Sequence, residues 1–430
     1  MRIYLTGATG FIGASLARAL AAAGHEVVGT TRRARGPRDA PDGLRYVRAD
    51  FAARLEPGDW LADLQGMDVV INAAGILRQD ARRSFDLMHR RAPCALFAAC
   101  AQAGVRRVVQ ISALGADAGA RSAYHVSKRA GDRCLEESGV RSVIVQPSLV
   151  YGPGGASAAW FDTLASLPLV ALPGGGTQGV QPVHIDDVVE ALTTLVAMPE
   201  PPARIALVGP RPLALREFLS QLRASLGITR RLRILDIPLP VSRFVARLAG
   251  RFPGSLLDAD TLGMLERGNT ADAGAMRRLL GRAPREPARF VPPVWRQAAR
   301  SLACLRWLLP VLRASIGAVW IVSGVVSLGL YPVDASYDLL ARAGAPAPVQ
   351  PLLLYGAAAL DLALGVLTFS RWRGRPLWLA QALLMLAYTA IISWKLPEFW
   401  LHPYGPVLKN LPMLAGLGLL AWLEDRRWNT

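Results

Sequence analysis

The stretch Thr6-Gly7-Ala8-Thr9-Gly10-Phe11-Ile12-Gly13 follows an apolar run, Ile3 to Leu5, and opens onto a helix-like segment that closes at Gly24. This order predicts a strand, a phosphate loop and a helix, the first half of a nucleotide-binding βαβ unit. The three glycines have separate duties: a tight turn, room for backbone N–H groups to approach a pyrophosphate, and close packing of helix on strand. The helix N-terminus adds partial positive charge. Gly7, Thr9, Gly10, Phe11, Ile12 and Gly13 are therefore candidate dinucleotide contacts.

Working outward, strands and helices alternate. Glu26 to Thr30, Leu44 to Arg48, Asp68 to Asn72, Arg107 to Ser112 and Ser142 to Gln146 read as strands; Phe85 to Ala103 before Gly104 and Tyr124 to Ser138 before Gly139 read as helices. Such alternation predicts an α/β fold, a Rossmann-type doubly wound parallel sheet covered on both faces, with ligands at the carboxyl ends of the strands. The second strand runs into Thr30-Thr31-Arg32-Arg33, where an NAD-selective enzyme usually places an acidic residue on the ribose. Arg32 and Arg33 instead suit a 2′-phosphate, favouring NADP, with NAD as the alternative cofactor and a solvated basic turn as the plain reading. Asp50 and Phe51 stand at the height expected for an adenine contact. Asn72-Ala73-Ala74-Gly75 ends the fourth strand with residues small enough for a cofactor to lie against the backbone.

The chemistry centres on Tyr124-His125-Val126-Ser127-Lys128. Tyr and Lys at i and i+4 share a helix face, so the Lys128 ammonium can hold a nicotinamide ribose and favour tyrosinate. A free Tyr, with a pKa of about 10, is a poor acid–base group at neutral pH; a neighbouring cation makes proton transfer to a substrate oxygen practicable. Ser112, at the end of the fifth strand, is expected to hydrogen-bond that oxygen.

These features resemble the short-chain dehydrogenase/reductase superfamily, specifically the extended and atypical branches related to nucleotide-sugar epimerases and to the NAD(P)H-binding accessory subunit of respiratory complex I. The resemblance covers Met1 to about Arg289. It rests on the Thr6–Gly13 loop, Asn72 to Gly75, the Tyr124/Lys128 pair, Pro147-Ser148-Leu149-Val150-Tyr151-Gly152-Pro153-Gly154, and Pro182-Val183-His184-Ile185-Asp186-Asp187-Val188. It implies that Tyr124 is the general acid/base, Lys128 its partner and Ser112 the third member, with Pro147 to Val150 bordering the nicotinamide. The family often carries paired serines where this chain has Ile111-Ser112-Ala113, and the gap from Ser112 to Tyr124 is shorter than in many extended members.

Residues 150–289 are expected to hold most of a small substrate lobe, in which Leu215, Phe218, Leu219, Leu222 and Leu226 follow helical spacing as a core stripe. Pro168, Pro173 and Gly174-Gly175-Gly176 suggest a mobile loop near the pocket. His184-Ile185-Asp186-Asp187 reads as a helix start with Asp as the cap and His near the domain interface. His25 and His89 stand isolated, and His125 points away from the Tyr/Lys face of a regular helix. No metal site is expected. The four cysteines, Cys94, Cys100, Cys134 and Cys304, have no paired or metal-like spacing and are expected to be reduced packing residues.

Beyond a Pro- and Arg-rich linker at 290–307, composition changes. A mean hydropathy of +0.27 and 52% hydrophobic residues exceed what a soluble enzyme needs, and the excess lies in 308–430. Val311 to Leu330, Leu352 to Phe369, Leu377 to Trp394 and Val407 to Leu423 are candidate spans for an all-α four-helix transmembrane domain. Arg296, Arg300, Arg306 and Arg313 precede the first, Arg371, Arg373 and Arg375 join the second to the third, and Arg426 and Arg427 follow the fourth. By the positive-inside rule these belong in the cytoplasm with both termini. With the nucleotide loop beginning at Thr6, no signal peptide is expected, so the reading is a multi-pass inner-membrane protein with a cytoplasmic catalytic domain. The net charge of +17 is then better explained by anionic lipid than by nucleic acid.

This region resembles the DoxX-like family of small membrane domains, through Val319-Trp320-Ile321-Val322-Ser323-Gly324, Asp361 with Gly365, and Glu398 to Pro412. Asp361, a carboxyl in an apolar helix, is either functional or a helix-packing hydrogen bond, with Lys409 and Asn410 expected too near the outer surface to partner it. Gly416 and Gly418, with Ala357 to Ala359, are expected to permit close helix contacts.

The whole reads as a membrane-tethered NAD(P)-dependent oxidoreductase, interconverting a carbonyl and an alcohol on a hydrophobic or membrane-resident substrate. The alternatives are a non-catalytic NAD(P)H-binding scaffold or sensor of a membrane complex, its protein partners unknown, and a nucleotide-sugar epimerase or dehydratase, ranked lower because the lobe shows no clear diphosphate clamp.

Overall fold

Seven parallel strands form the central sheet. The computed structural model describes residues 1–32, 39–250 and 259–424; Arg33, Arg426 and Arg427 lie outside them. The strands of the chain are β1 (Arg2–Thr6), β2 (Glu26–Thr31), β3 (Leu44–Arg48), β4 (Val69–Asn72), β5 (Arg107–Ile111), β6 (Ser142–Pro147), β7 (Val150–Tyr151), β8 (Leu169–Pro173), β9 (Gly179–Val180), β10 (Val183–His184), β11 (Arg204–Leu207), β12 (Leu213–Ala214) and β13 (Arg233–Ile237). The sheet runs β11-β6-β5-β4-β1-β2-β3, so the order reverses between β1 and β4 and leaves a crevice at their carboxyl ends. The five strands expected after the first form within a residue of their expected ends. The seventh, β11, returns to the sheet edge after the chain has left it to build the lobe.

Helices α1 (Phe11–Ala22), α2 (Gly58–Leu64), α3 (Ala92–Gln102), α4 (Ala123–Glu137), α5 (Ala156–Ser166), α6 (Ile185–Ala197) and α7 (Leu215–Ser225) follow the strands. One face of the sheet buries Ile3, Leu5, Ile71, Val109 and Val145 against α1 and α6. The other buries Tyr4, Val28, Val70, Val108 and Ile144 against α2 and α3. Alternate residues of each strand thus enter opposite cores, the period-2 consequence of a sheet covered on both sides.

The part of the chain expected to form the lobe has its own core, in which Leu215, Phe218, Leu219, Leu222 and Leu226 pack with Tyr151, Phe161 and Phe290. The expected helical stripe is therefore core. Gly174 to Gly176 form a tight turn after β8 with φ of +52°, +61° and +71°, a backbone that glycine alone adopts cheaply. Helices α8 (Leu239–Ala249), α9 (Ala259–Arg267) and α10 (Gly274–Leu280) complete this part.

The chain divides into two compact units, Met1–Ala303 and Cys304–Thr430. The second contains the end of α11 (Arg296–Val325), α12 (Val333–Arg342), α13 (Gln350–Phe369), α14 (Arg375–Lys395) and α15 (Asn410–Leu423). Three apolar helices there, within 293–330, 347–369 and 375–395, are long enough to cross a bilayer. The fourth expected span is shorter than read: α15 begins at Asn410 and has 14 residues, about 21 Å at 1.5 Å per residue. It still closes the bundle core, where Leu417 and Leu420 meet Ile316, Trp320, Leu364 and Trp378. Arg313, at the start of the apolar part of α11, pairs with Glu424 just after α15 at 2.5 Å, and Arg342, at the end of α12, pairs with Glu398 between α14 and α15.

Close helix approach in the bundle uses the expected Gly416, where a Cβ would lie 3.2 Å from Leu312 Cδ1, and the backbone at Ala358, and it also uses Gly324 and Gly365, which were not expected. A Cβ on Gly324 would stand 2.9 Å from the Ala358 carbonyl oxygen, and one on Gly365 2.6 Å from Ile321 Cγ1, whereas Gly418 meets nothing within 4 Å. Small residues matter only where their face of the helix turns to a neighbour, which composition does not report. Asp361 is buried, and its Oδ1 has no hydrogen-bond partner among the described residues; Asn410 instead donates to Thr389 Oγ1 at 2.8 Å.

The cysteine expectation needs correction. Cys94 on α3 and Cys134 on α4 are joined in a disulfide, with Cα atoms 5.4 Å apart, while Cys100 and Cys304 are free. The pair is 40 residues apart in sequence, and only the side-by-side packing of the two helices brings it within bridging range.

Candidate active site

The loop after β1 is built for close backbone approach. Gly7 has φ +68°, and a Cβ there would lie 2.6 Å from the Ala73 carbonyl oxygen; a Cβ on Gly13 would lie 2.1 Å from the Gly7 oxygen. The first glycine makes the turn beside the end of β4, and the last lets α1 sit on the loop. Thr9 and Gly10 are exposed at the top, Phe11 and Ile12 partly buried. The Gly7 N–H donates to Thr30 Oγ1 at 3.1 Å, tying the loop to β2. These residues fit a dinucleotide: the space that side chains would fill is kept open by glycine, and N–H groups of the helix start face it.

A buried polar line crosses the strand ends beneath the loop. Thr6 Oγ1 donates to Asn72 Oδ1 at 2.6 Å, and Asn72 Nδ2 donates to Gln110 Oε1 at 2.7 Å. Asn72 is thus committed to the sheet, leaving Ala73, Ala74 and the exposed Gly75 to border the crevice. Arg32 is exposed just beyond β2. Asp50 accepts from the Ala52 N–H at 3.1 Å as the cap of a short turn, and the Phe51 ring is buried edge-on against Trp60 at 5.2 Å. The Phe51 side chain is therefore core.

Helix α4 starts with Ser122 as its cap, accepting from the His125 N–H at 3.2 Å. Tyr124, Lys128 and Asp132 then recur every fourth residue on one face. Lys128 is buried, and its Nζ donates to the Ile111 carbonyl at 3.1 Å; it lies so close to Gly75 that a Cβ there would be 3.0 Å away. Burial pulls the Lys128 amine down to about 8, against the attraction of Asp132. Ser112, at the end of β5, donates to Asp132 Oδ2 at 2.6 Å, so its proton is directed down the helix. Burial, then the Asp132 charge, pushes the Tyr124 phenol up to about 12. The direct lowering by Lys128 expected from the spacing does not appear: desolvation opposes tyrosinate and the Asp132 charge adds to it.

Residues missed in the sequence complete the site. His89 is fully buried rather than isolated. It sits in a π-helical turn, Leu87–Arg91, that precedes α3, a local irregularity frequent at functional sites. Its Nε2 accepts from the Ile76 N–H at 3.1 Å, and its Nδ1 stands 2.9 Å from Ser127 Oγ. Because Nε2 accepts, Nδ1 carries the proton and donates to Ser127, whose hydroxyl donates to the Tyr124 carbonyl at 2.8 Å. Burial, reinforced by Lys128, holds the imidazole neutral, down to about 2. The Tyr124 ring packs edge-on to His89 at 5.5 Å and to Phe85 at 5.9 Å. Gly131 permits this packing, since a Cβ there would lie 2.0 Å from the His89 carbonyl oxygen. The sequence signals are the continuation of the i+4 series to Asp132 and of the adjacent Ser127/Gly131 row; His89 carries no such signal, since it arrives from another element.

Pro147 ends β6, and its carbonyl accepts from the Leu114 N–H at 2.9 Å; Val150 follows in β7. Beside α4, a cavity of about 540 Å³ opens between Arg121, Ser122 and His125 on one side and Asp260, Met264 and Arg267 of α9 on the other. Arg267 donates to the Gly115 carbonyl at 2.7 Å and to Asp117 at 2.5 Å, holding α9 over the loop that leads to Tyr124. His184 is structural, with one change from expectation: its own Nδ1 caps α6 by accepting from the Asp186 N–H at 3.2 Å, because Asp187 is buried under Arg282 at 2.8 Å and the Arg285 N–H at 2.7 Å.

Residues 3–209 match the NAD dependent epimerase/dehydratase family, and residues 317–418 the DoxX-like family. A ceramide reductase of Caulobacter vibrioides is 28% identical over 203 residues, 46% of this chain and 61% of that protein, so the chain spans less than two thirds of its length. A 2-alkyl-3-oxoalkanoate reductase of Stenotrophomonas maltophilia is 26% identical over 260 residues, 54% of this chain and 77% of that protein. Among solved structures, a nucleoside-diphosphate-sugar epimerase from Staphylococcus aureus aligns with a TM-score of 0.56 at 16% identity, covering 67% of this chain and 99% of that one; at that identity the likeness is one of fold. Site, sheet and matched segments agree: this chain joins an NAD-dependent epimerase/dehydratase-family domain to a C-terminal DoxX-like membrane domain.

Proposed function

We propose that the protein is a membrane-anchored oxidoreductase that uses NADP, with NAD as the alternative, to interconvert a carbonyl and an alcohol on a hydrophobic or membrane-resident molecule. The observation that carries this reading is Tyr124 one turn from the buried Lys128 amine, at the carboxyl end of β5 and beside Gly75. Gly7, Thr9, Gly10, Phe11, Ile12 and Gly13 would hold the phosphates, Arg32 would take the 2′-phosphate, the Asp50–Phe51 backbone would face the adenine, Ala73 and Ala74 would line the ribose side, and Pro147 and Val150 would border the nicotinamide. When bound, the nicotinamide supplies or accepts the hydride. Tyr124 delivers or takes the proton at the substrate oxygen, Lys128 would orient the ribose, and Ser112 is the third polar group at that oxygen. The names of the two reductase relatives support a carbonyl on an alkyl-bearing or lipid molecule. The positive-inside reading puts the catalytic unit and both ends of the chain on the cytoplasmic face.

The test is NADPH oxidation by the full chain in lipid nanodiscs, with 2-alkyl-3-oxoalkanoates and oxidised ceramides as substrates. Tyr124→Phe is expected to lose on the order of 10²–10⁴-fold in kcat; a variant as fast as wild type removes the proposed role. A preference for NADH over NADPH overturns the assignment of Arg32.

Two observations favour a second reading, a non-catalytic NAD(P)H-binding scaffold or sensor: the Ser112 proton is committed to Asp132 and the Tyr124 phenol is held up at about 12. That reading predicts tight NADPH binding and no turnover of any carbonyl in the panel.

A further inference from the structure

Helix α8 carries an apolar stripe that no described residue of its own unit covers. Val241, Phe244, Val245 and Leu248 are 49%, 61%, 51% and 44% exposed, and their i, i+3, i+4, i+7 spacing places them on one face. The helix is attached by its opposite side, where Ser242 and Ala246 are buried, and by Arg243, which pairs with Glu266 of α9 at 2.9 Å. Isolated exposed apolar residues need no explanation, but a full helical stripe marks an interaction surface. The flanks are basic: residues 229–250 contain Arg230, Arg231, Arg233, Arg243 and Arg247 against the single acid Asp236.

We propose that α8 lies in the plane of the bilayer, its stripe among the acyl chains, and Arg247, with the preceding Arg230, Arg231 and Arg233, at anionic headgroups. Two observations commit the surface to a membrane. Apolar residues on one face with arginine beside them are what a helix needs to sit at a lipid interface, where long basic side chains reach back to the headgroups. The same chain carries three apolar helices long enough to span a membrane, so a bilayer is tethered to this unit at high effective concentration. The inference rests on the membrane anchor and not on the redox reading. Its consequence is that the cavity walled by α9 opens beside a membrane-bound helix, a direct path for a molecule dissolved in lipid.

The test places a nitroxide at Phe244→Cys in the full chain, reconstituted in vesicles of phosphatidylcholine with phosphatidylglycerol, and compares its collisions with oxygen and with a water-soluble nickel chelate. Glu137→Cys, exposed on α4, is the aqueous reference, and the chain without an added cysteine supplies the labelling background. The expected result is a label at position 244 that favours oxygen and sits about 5–10 Å inside the phosphates, returned to water by Val241→Asp with Leu248→Asp in protein that keeps the wild-type circular dichroism spectrum. A label at 244 as accessible to nickel as that at 137 overturns the proposal. So does one shielded from both reagents, which indicates a protein partner or a second copy, and so does one that stays in lipid in the double aspartate variant.

Discussion

His89 Nδ1 donates to Ser127 Oγ across 2.9 Å, joining the π-helical turn before α3 to the helix that carries Tyr124 and Lys128. With Nε2 accepting from Ile76, one neutral imidazole fixes the segment after β4 to α4.

That bridge has a pH signature. The folded imidazole is held near 2 by burial, whereas an unfolded His titrates at about 6.5. The unfolded chain therefore binds the extra proton below pH 6.5, and stability conferred at neutral pH is lost as pH falls, by about 1.4 kcal/mol per pH unit. His89→Leu should be less stable at pH 7.5, since Ile76 and Ser127 lose a buried partner at a cost of about 1–3 kcal/mol. Its thermal midpoint should also fall less steeply between pH 6.5 and 5. Parallel profiles for wild type and variant would refute this.

Lys128 behaves in the opposite pH range. Its folded value of about 8 lies below the unfolded value, so between about pH 8 and 10.5 the unfolded chain holds the proton more tightly. Cofactor-free wild type should gain stability relative to Lys128→Met as pH rises through that window. The Met variant, lacking the ribose contact, should bind NADPH at least tenfold more weakly in a fluorescence titration.

Two glycines are sterically irreplaceable. Gly13→Ala drives a methyl into the Gly7 carbonyl, 2.1 Å from its Cβ position, and should weaken NADPH binding more than tenfold by shifting α1 off the phosphate loop. Gly131→Ala meets the His89 carbonyl at 2.0 Å and should destabilise by about 1–3 kcal/mol, with loss of hydrogen-exchange protection at Ile76. Wild-type binding and protection in these variants would disprove the packing argument.

The Cys94–Cys134 bond closes a loop of about 40 residues between α3 and α4, which in the chain-entropy account stabilises by about 4 kcal/mol. Alkylation of unfolded, unreduced protein should modify two of the four cysteines, and all four after reduction, with a lower thermal midpoint in reducing buffer. Four reactive thiols before reduction would exclude the bond.

Much of the site was legible because it is local. Gly7 to Gly13 lie in one turn, and Tyr124 and Lys128 are one helical turn apart, so strand–loop–helix order and the 3.6-residue period suffice to bring them together. Asp132 was readable by extending that period. His89 was not, since its meeting with Ser127 depends on how the helix after β4 packs on α4 through Gly131. The same packing brings Cys94 to Cys134.

The sequence by itself determined the alternating sheet, the phosphate loop, the Tyr/Lys face and the apolar C-terminal region, all of which follow from residue type and short periods along the chain. Tertiary structure alone decided which polar atoms face each other: Ser112 on Asp132, His89 on Ser127, Phe51 turned into the core, α15 closing a bundle it is too short to extend. The physical reason is that desolvation and hydrogen bonding depend on what surrounds a side chain. Tyr124 is written as an acid–base residue by its spacing, but burial sets where its proton sits.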